Sequence, residues 1–214
     1  AARIILSTPS PAFVTKEVPG GEAPEYDAAD MEILLRTRDT ARRILSNTSR
    51  PVGETLELLH IYAQYAQAEL NGYEVPTFAD EELLLCKARK ESNAGDYQEI
   101  LNFFKNLEIL TPEWAARLAH PSPAGWESRH LTLARYFVDR YWLQAISDFD
   151  LISRVKLALI SCLVVKSLGG DLVKTAQIYS KEIENSIENV EAILDATYEA
   201  AIFEDAALSG LLLL

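Results

Sequence analysis

From Asp30 onward, apolar residues recur at intervals of three and four, the spacing that gathers side chains on one face of a helix. Met31, Leu34, Leu35, Ala41 and Leu45 predict a first helix closed by Ser46-Asn47-Thr48. Arg50-Pro51 opens a second, whose stripe is Leu56, Leu59, Ala63, Ala66 and Leu70 and whose stop is Asn71-Gly72. The short link between them predicts an antiparallel hairpin. Thr77-Phe78-Ala79-Asp80 resembles a capping box for a third helix, with Glu81 and Glu82 in its first turn and Lys87, Arg89 and Lys90 in its last. After the break at Asn93-Ala94-Gly95, the residues Tyr97, Ile100, Leu101, Phe104 and Leu107 give a fourth amphipathic run. Thr111-Pro112-Glu113 caps a short helix holding Trp114, and His120-Pro121-Ser122-Pro123-Ala124-Gly125 is a loop. The strongest helical signals follow, over about Trp126 to Ser147, Asp150 to Leu168, and Asp171 onward with a break near Ser186. Nothing alternates as a strand would. The expected fold is all-α, an irregular bundle of about eight to nine helices with an extended N-terminal arm. Residues 1–29, with Pro9, Pro11, Pro19 and Gly20-Gly21, form the arm; residues 30–214 form one helical domain, with a candidate subdivision at 120–125.

Charge narrows the partners. The chain of 214 residues carries 20 Lys plus Arg against 32 Asp plus Glu, a formal charge of −12, which repels nucleic acid. From Asp171 to the end, nine acids face only Lys174 and Lys181, the pattern of a solvated helix face or of a surface for a basic partner. The longest apolar stretch, Leu157 to Val165, lies between Lys156 and Lys166 and is far shorter than the roughly 20 residues a bilayer needs, so no membrane partner is expected. Ala1-Ala2-Arg3-Ile4-Ile5-Leu6-Ser7 is too short an apolar run for a signal peptide. Cys86 and Cys162 each sit inside apolar helical patterns and are expected to be buried thiols, which suits a reducing cytoplasm.

The common nucleotide, zinc and hydrolase signatures are absent from the sequence. Glu-x-x-His occurs twice, at Glu57/His60 and Glu127/His130, the spacing of di-iron bundle ligands. If Leu56, Leu59 and Ala63 face the core, however, His60 lies at the stripe's edge and Glu57 points roughly 100° away from Leu56. No metal ligand is assigned in the chain. A second constellation is aromatic: Tyr136, Phe137, Tyr141 and Trp142, interleaved with Arg135, Asp139 and Arg140. It reads first as core packing with a helix ion pair, and only secondarily as an aromatic cage for an alkylated ammonium group.

Three stretches resemble the C-terminal helical part of the bacterial flagellin lysine-N-methylase family. Ala1-Ala2-Arg3-Ile4-Ile5-Leu6 resembles the residues that follow a Cys-Pro-Glu there. Arg135 to Ala145, continuing through Asp150 to Lys156, is the second stretch, and Ile178 to Asn189 the third. The family's cysteine-rich N-terminal region, which holds a metal or iron–sulfur centre, has no counterpart in this sequence. The resemblance implies that the complete protein moves a methyl group, from a donor such as S-adenosylmethionine, to a lysine of a protein substrate such as flagellin. This chain would be its helical body, incomplete as a catalyst and without a cofactor of its own. By the same resemblance, Glu182 and Glu184 are candidate bases and Tyr136, Arg140, Tyr141 and Tyr179 candidate substrate contacts. Arg140 and Glu182 are expected to pair or to line a wet cleft. The rival reading is a non-enzymatic acidic helical domain for protein interaction or regulation. An enzyme body would gather these residues round one concavity, whereas an adaptor would spread apolar surface over a flat groove. The pattern does not set the oligomeric state.

Overall fold

The computed structural model describes residues 26–93 and 95–214, which are 74% helical with no strand. Most of the arm expected over residues 1–29 lies outside the described residues. The helices are α1 (Ala28–Ser46), α2 (Val52–Leu70), α3 (Glu81–Glu91), α4 (Tyr97–Lys105) and α5 (Pro112–Ala119). There follow α6 (Ser128–Tyr141), a 3-10 turn (Trp142–Ile146), α7 (Leu151–Leu168), α8 (Leu172–Ile183), α9 (Ile187–Glu199), a second 3-10 turn (Ala201–Phe203) and α10 (Asp205–Leu213). Ten α-helices therefore stand among the described residues where the pattern predicts eight to nine.

Local chemistry sets most boundaries. Side-chain caps on Asp27, Asp96, Thr111, Asp171 and Ser186 each accept a backbone N–H of the first turn that follows. The capping box expected at Thr77 is displaced: Asp80, in the left-handed region at φ 56°, caps α3 by accepting from Leu83 N. The single helix expected over Trp126 to Ser147 tightens into its 3-10 turn after Tyr141, because Trp142, Leu143, Ala145 and Ile146 are all drawn into the core. There the Trp142 indole N–H reaches Thr37 Oγ1 at 3.3 Å.

α7 is the axis of the bundle. Of its 18 residues, 17 are buried, with α2, α4, α6, α8 and α9 packed around it, while α1 lies across α2 and α6. A helix with no solvent face must satisfy its polar side chains internally. Ser161 and Ser167 return hydrogen bonds to the carbonyls of Leu157 and Leu163, and Arg154 pairs with Asp148 at 2.7 Å. The Lys166 ammonium lies 4.7 Å above the Tyr97 ring and 4.4 Å above that of Trp126. The aliphatic positions of α7 supply the main burial, at about 1.5–3 kcal/mol for each large side chain.

The loop after α5 is tied to the end of α7: Ser122 N donates to Leu168 O at 3.2 Å and Ala124 N to Lys166 O at 3.0 Å. α10 packs against α2 and α3. Cys162 is buried as expected, but Cys86 is exposed. α3 is a lid helix that turns only Leu85 and Ala88 fully inward, so the neighbouring Leu83 and Cys86 face out. No helix among the described residues is long and apolar enough to cross a membrane.

Candidate functional site

The facing sides of α6 and α8, which run in the same direction with Arg129 near Asp171 at their starts and Arg140 on Glu184 at their ends, do not close on each other completely. Between them runs a groove of about 650 Å³, floored by Leu133, Phe137, Leu172 and Ala176, with Arg129 and Lys181 on its rim and Glu184 at one end. The i, i+3 and i+4 spacing of Leu133, Tyr136 and Phe137 on α6, and of Leu172 and Ala176 on α8, places these side chains on facing stripes.

Four predicted residues meet at the carboxylate. Glu184 follows the last turn of α8, and its side chain is only 3% exposed. Tyr136 Oη donates to it at 3.0 Å, Tyr141 Oη at 3.0 Å and Ser180 Oγ at 2.6 Å, while Arg140 Nε lies 2.8 Å from Oε1. The Arg140 guanidinium also stands 5.5 Å from the centre of the Tyr141 ring. Burial pushes the Tyr141 phenol up to about 12, partly opposed by Arg140. The Tyr136 phenol is raised in the same way, by burial first and by the Glu184 charge second. Both phenols therefore remain donors at neutral pH. The Glu184 oxygens are thus engaged by four side chains that hold the end of the groove together.

The other two predicted residues lie elsewhere. Tyr179 is fully buried behind the groove, its hydroxyl 2.8 Å from Ser161 Oγ and its ring packed among Phe104, Trp114 and Phe137. Burial moves its phenol far above the ordinary range. Glu182 points to the opposite side of α8. It pairs neither with Arg140 nor with solvent but accepts from the backbone N–H of Leu110 and from Thr111 Oγ1 at 2.9 Å. Thr111 Oγ1 in turn caps α5 by accepting from Trp114 N at 3.2 Å. Asn189 completes this clamp through Glu108, whose N–H donates to Asn189 Oδ1 and whose carbonyl accepts from Nδ2, both at 3.0 Å. The mixture of charge and aromatics over Ile178 to Asn189 thus divides into a groove side and a clamp side. Glu182→Ala is expected to lower the unfolding free energy by about 2–3 kcal/mol, since the part-buried N–H groups of Leu110 and Thr111 and the Thr111 hydroxyl lose their carboxylate acceptor. Urea denaturation measures this, and groove binding should be unaffected.

The two Glu-x-x-His pairs do not converge either. His130 Nδ1 accepts from Glu127 N at 3.0 Å at the start of α6, and burial lowers its imidazole pKa. Glu57 and His60 sit in a separate network with Ser209 and the more exposed Asp205. Among the described residues, no group of three or more His, Cys, Asp or Glu side chains is placed to share a metal ion. Sequence reasoning missed the groove floor, whose signal was apolar positions on α8 beyond those its core contacts require, and Ser180, four residues before Glu184.

No family model, characterised protein or solved structure matches the chain.

Proposed function

We propose that the chain is the substrate-holding helical body of a lysine-N-methylase-like protein, and that the α6–α8 groove receives the side chain of a substrate lysine. One observation carries the reading: an apolar groove leads to a polar end built from Tyr136, Arg140, Tyr141 and Glu184. A lysine amine attacks a methyl group only after losing its proton, and its ordinary pKa of about 10.4 keeps it charged at neutral pH. The groove favours the neutral form in two ways. Its floor is apolar, and Arg129 and Lys181 place positive charge at the rim while Arg140 offsets Glu184. Deprotonation by environment takes over the role for which Glu182 and Glu184 were candidates, and Tyr136 supplies the polar group that orients the amine. The described residues hold no metal-ligand cluster, so no metal or iron–sulfur step is assigned to them. The methyl donor, S-adenosylmethionine by resemblance, would be held elsewhere in the complete protein. The substrate is a protein, flagellin by the same resemblance, presented from solution in the cytoplasm.

The test is a titration of the chain with Nα-acetyl-lysine methylamide, followed by chemical-shift changes. Binding is expected to tighten about tenfold for each unit by which the pH is raised, up to the amine's free pKa, because only the neutral form enters, and to be lost in Ala176→Trp, which fills the groove. Equal, pH-independent binding of the norleucine analogue would favour the second reading, an apolar docking groove of an interaction domain. The openness of the groove along its length is the observation on that side.

A further inference from the structure

A second concavity, of about 560 Å³, lies between α1, α2 and the extended segment Val75–Thr77, within the size range of small-molecule sites. Three arginines line it at intervals of seven residues: Arg36 and Arg43 on one face of α1, and Arg50 in the turn to α2. In a chain of net charge −12 this is a local reversal, since among the described residues the acids in the lining are Glu69 and Glu81, with Glu82 just outside it at 3.8 Å from Arg50 Nη1. Those two carboxylates hold the outer arginines in place: Arg36 pairs with Glu69, and Arg50 with Glu81 at 2.7 Å. Arg43 is different. Its Nη2 donates to Thr40 Oγ1 at 2.6 Å, and no carboxylate among the described residues lies within ion-pair distance. Arg50 Nε is buried and has no acceptor among the described residues. The opposite wall is aromatic, with the Phe78 ring edge-on to Tyr62 at 5.0 Å and to Tyr65 at 5.4 Å. The Tyr62 phenol is raised by burial and by the Glu69 charge, against the opposing effect of Thr40, Arg36 and Arg43.

We infer that this cleft binds a small phosphorylated aromatic molecule, its phosphate on Arg43 with Arg36 and Arg50 converging from either side and its ring against Tyr65 and Phe78. Guanidinium forks match phosphate oxygens, and both outer forks keep N–H groups that the carboxylates leave unused. The overall negative charge excludes a polyanion, so the ligand is a small molecule rather than nucleic acid. The site stands apart from the α6–α8 groove and does not depend on the lysine reading.

Calorimetric titration of the full chain with phenyl phosphate, inorganic phosphate and phenol tests it. Phenyl phosphate is expected to bind most tightly, inorganic phosphate more weakly, and phenol not at all. Arg43 is exposed, so Arg43→Gln should melt like the parent while weakening phenyl phosphate by at least about tenfold, the loss of one charge-assisted contact. Lys174→Gln, an equal change of charge at an exposed position of α8, should leave the affinity unchanged. Absence of binding at millimolar phenyl phosphate, equal binding by inorganic phosphate, unchanged affinity in Arg43→Gln, or equal weakening by Lys174→Gln would each overturn the proposal.

Discussion

Replacing His60 by leucine is expected to lower the unfolding free energy by about 3–5 kcal/mol, because it strands a buried carboxylate. Glu57 and His60 are each 1% exposed, although they lie on what the sequence pattern reads as the margin of α2. Glu57 accepts from Ser209 Oγ at 2.7 Å and faces His60 Nδ1 at 3.4 Å. On its other side, His60 Nε2 faces Asp205 Oδ1 at 3.3 Å, and Asp205 also meets the Lys156 ammonium at 2.7 Å. Burial by itself lowers the imidazole pKa, but the bonds to Asp205 and Glu57 and their charges outweigh it, and the net shift is upward. The Asp205 carboxyl is depressed, first by its bond to His60 and then by Lys156 against the opposing effect of burial. The signs follow from linkage. The raised histidine contributes stability that is fully present below its ordinary 6.5 and is lost as pH rises through its folded value. The depressed aspartate contributes stability that is present above 3.8 and is lost as pH falls through its folded value. The gap between parent and His60→Leu should therefore be widest between these two values and narrow on the alkaline side. Urea denaturation across pH 4 to 9 measures it. A gap that does not vary with pH would mean that packing, not charge, holds α10 to α2. The double variant Glu57→Leu/His60→Leu, which removes the stranded charge, should recover much of the loss.

The second large effect is expected at Gly169, where alanine should cost at least about 3 kcal/mol from backbone strain and overlap together. The residue ends α7 at φ 63° and ψ −156°, a conformation essentially reserved for glycine. A Cβ built there would lie 1.7 Å from Ser122 O. The neighbour is backbone, held by the Ser122–Leu168 and Ala124–Lys166 hydrogen bonds, and cannot turn aside as a side chain would. Gly169 O also accepts from Thr175 Oγ1 at 2.7 Å and from Arg117 Nη1 at 3.2 Å, so any shift is felt in α8 and α5. Gly72 is the control. Its φ is 78°, but nothing lies within 4 Å of its built Cβ, so Gly72→Ala should cost only about 1 kcal/mol. Equal midpoints for the two variants would refute the close approach.

The helical architecture was legible because its signals are local. Caps, the stop at Asn71-Gly72 and the break at Ser186 depend on residues within four positions of one another, and the structure places elements on them. What the sequence concealed depends on distant partners. A helix buried on several sides has no polar margin, so the one-sided stripe drawn through Leu56, Leu59 and Ala63 misplaced Glu57 and His60. Their acceptors and donors come from α10, at separations of 145 and 152 residues. Cys86 was misjudged for the converse reason, since an apolar run within a lid helix need not all turn inward. Of the candidate site residues, Tyr136, Arg140, Tyr141 and Glu184 are brought together across α6 and α8. Glu182 looks like its neighbour Glu184 in the sequence but lies two positions away on the helix, about 200° round, and serves the loop before α5. No local pattern separates two such glutamates.

The long span of the Glu57–His60 network bears on the order in which the chain is made. During synthesis, α2 leaves the ribosome with a carboxylate and an imidazole destined for burial, while Asp205 and Ser209 are still to be translated. Until α10 emerges these groups must stay hydrated, which keeps that side of α2 open and leaves the α1–α2 hairpin without its final neighbours. The hairpin therefore reaches its native packing only after α10 has emerged, and the nascent hairpin is the stretch that most needs shielding from other apolar surfaces in the meantime.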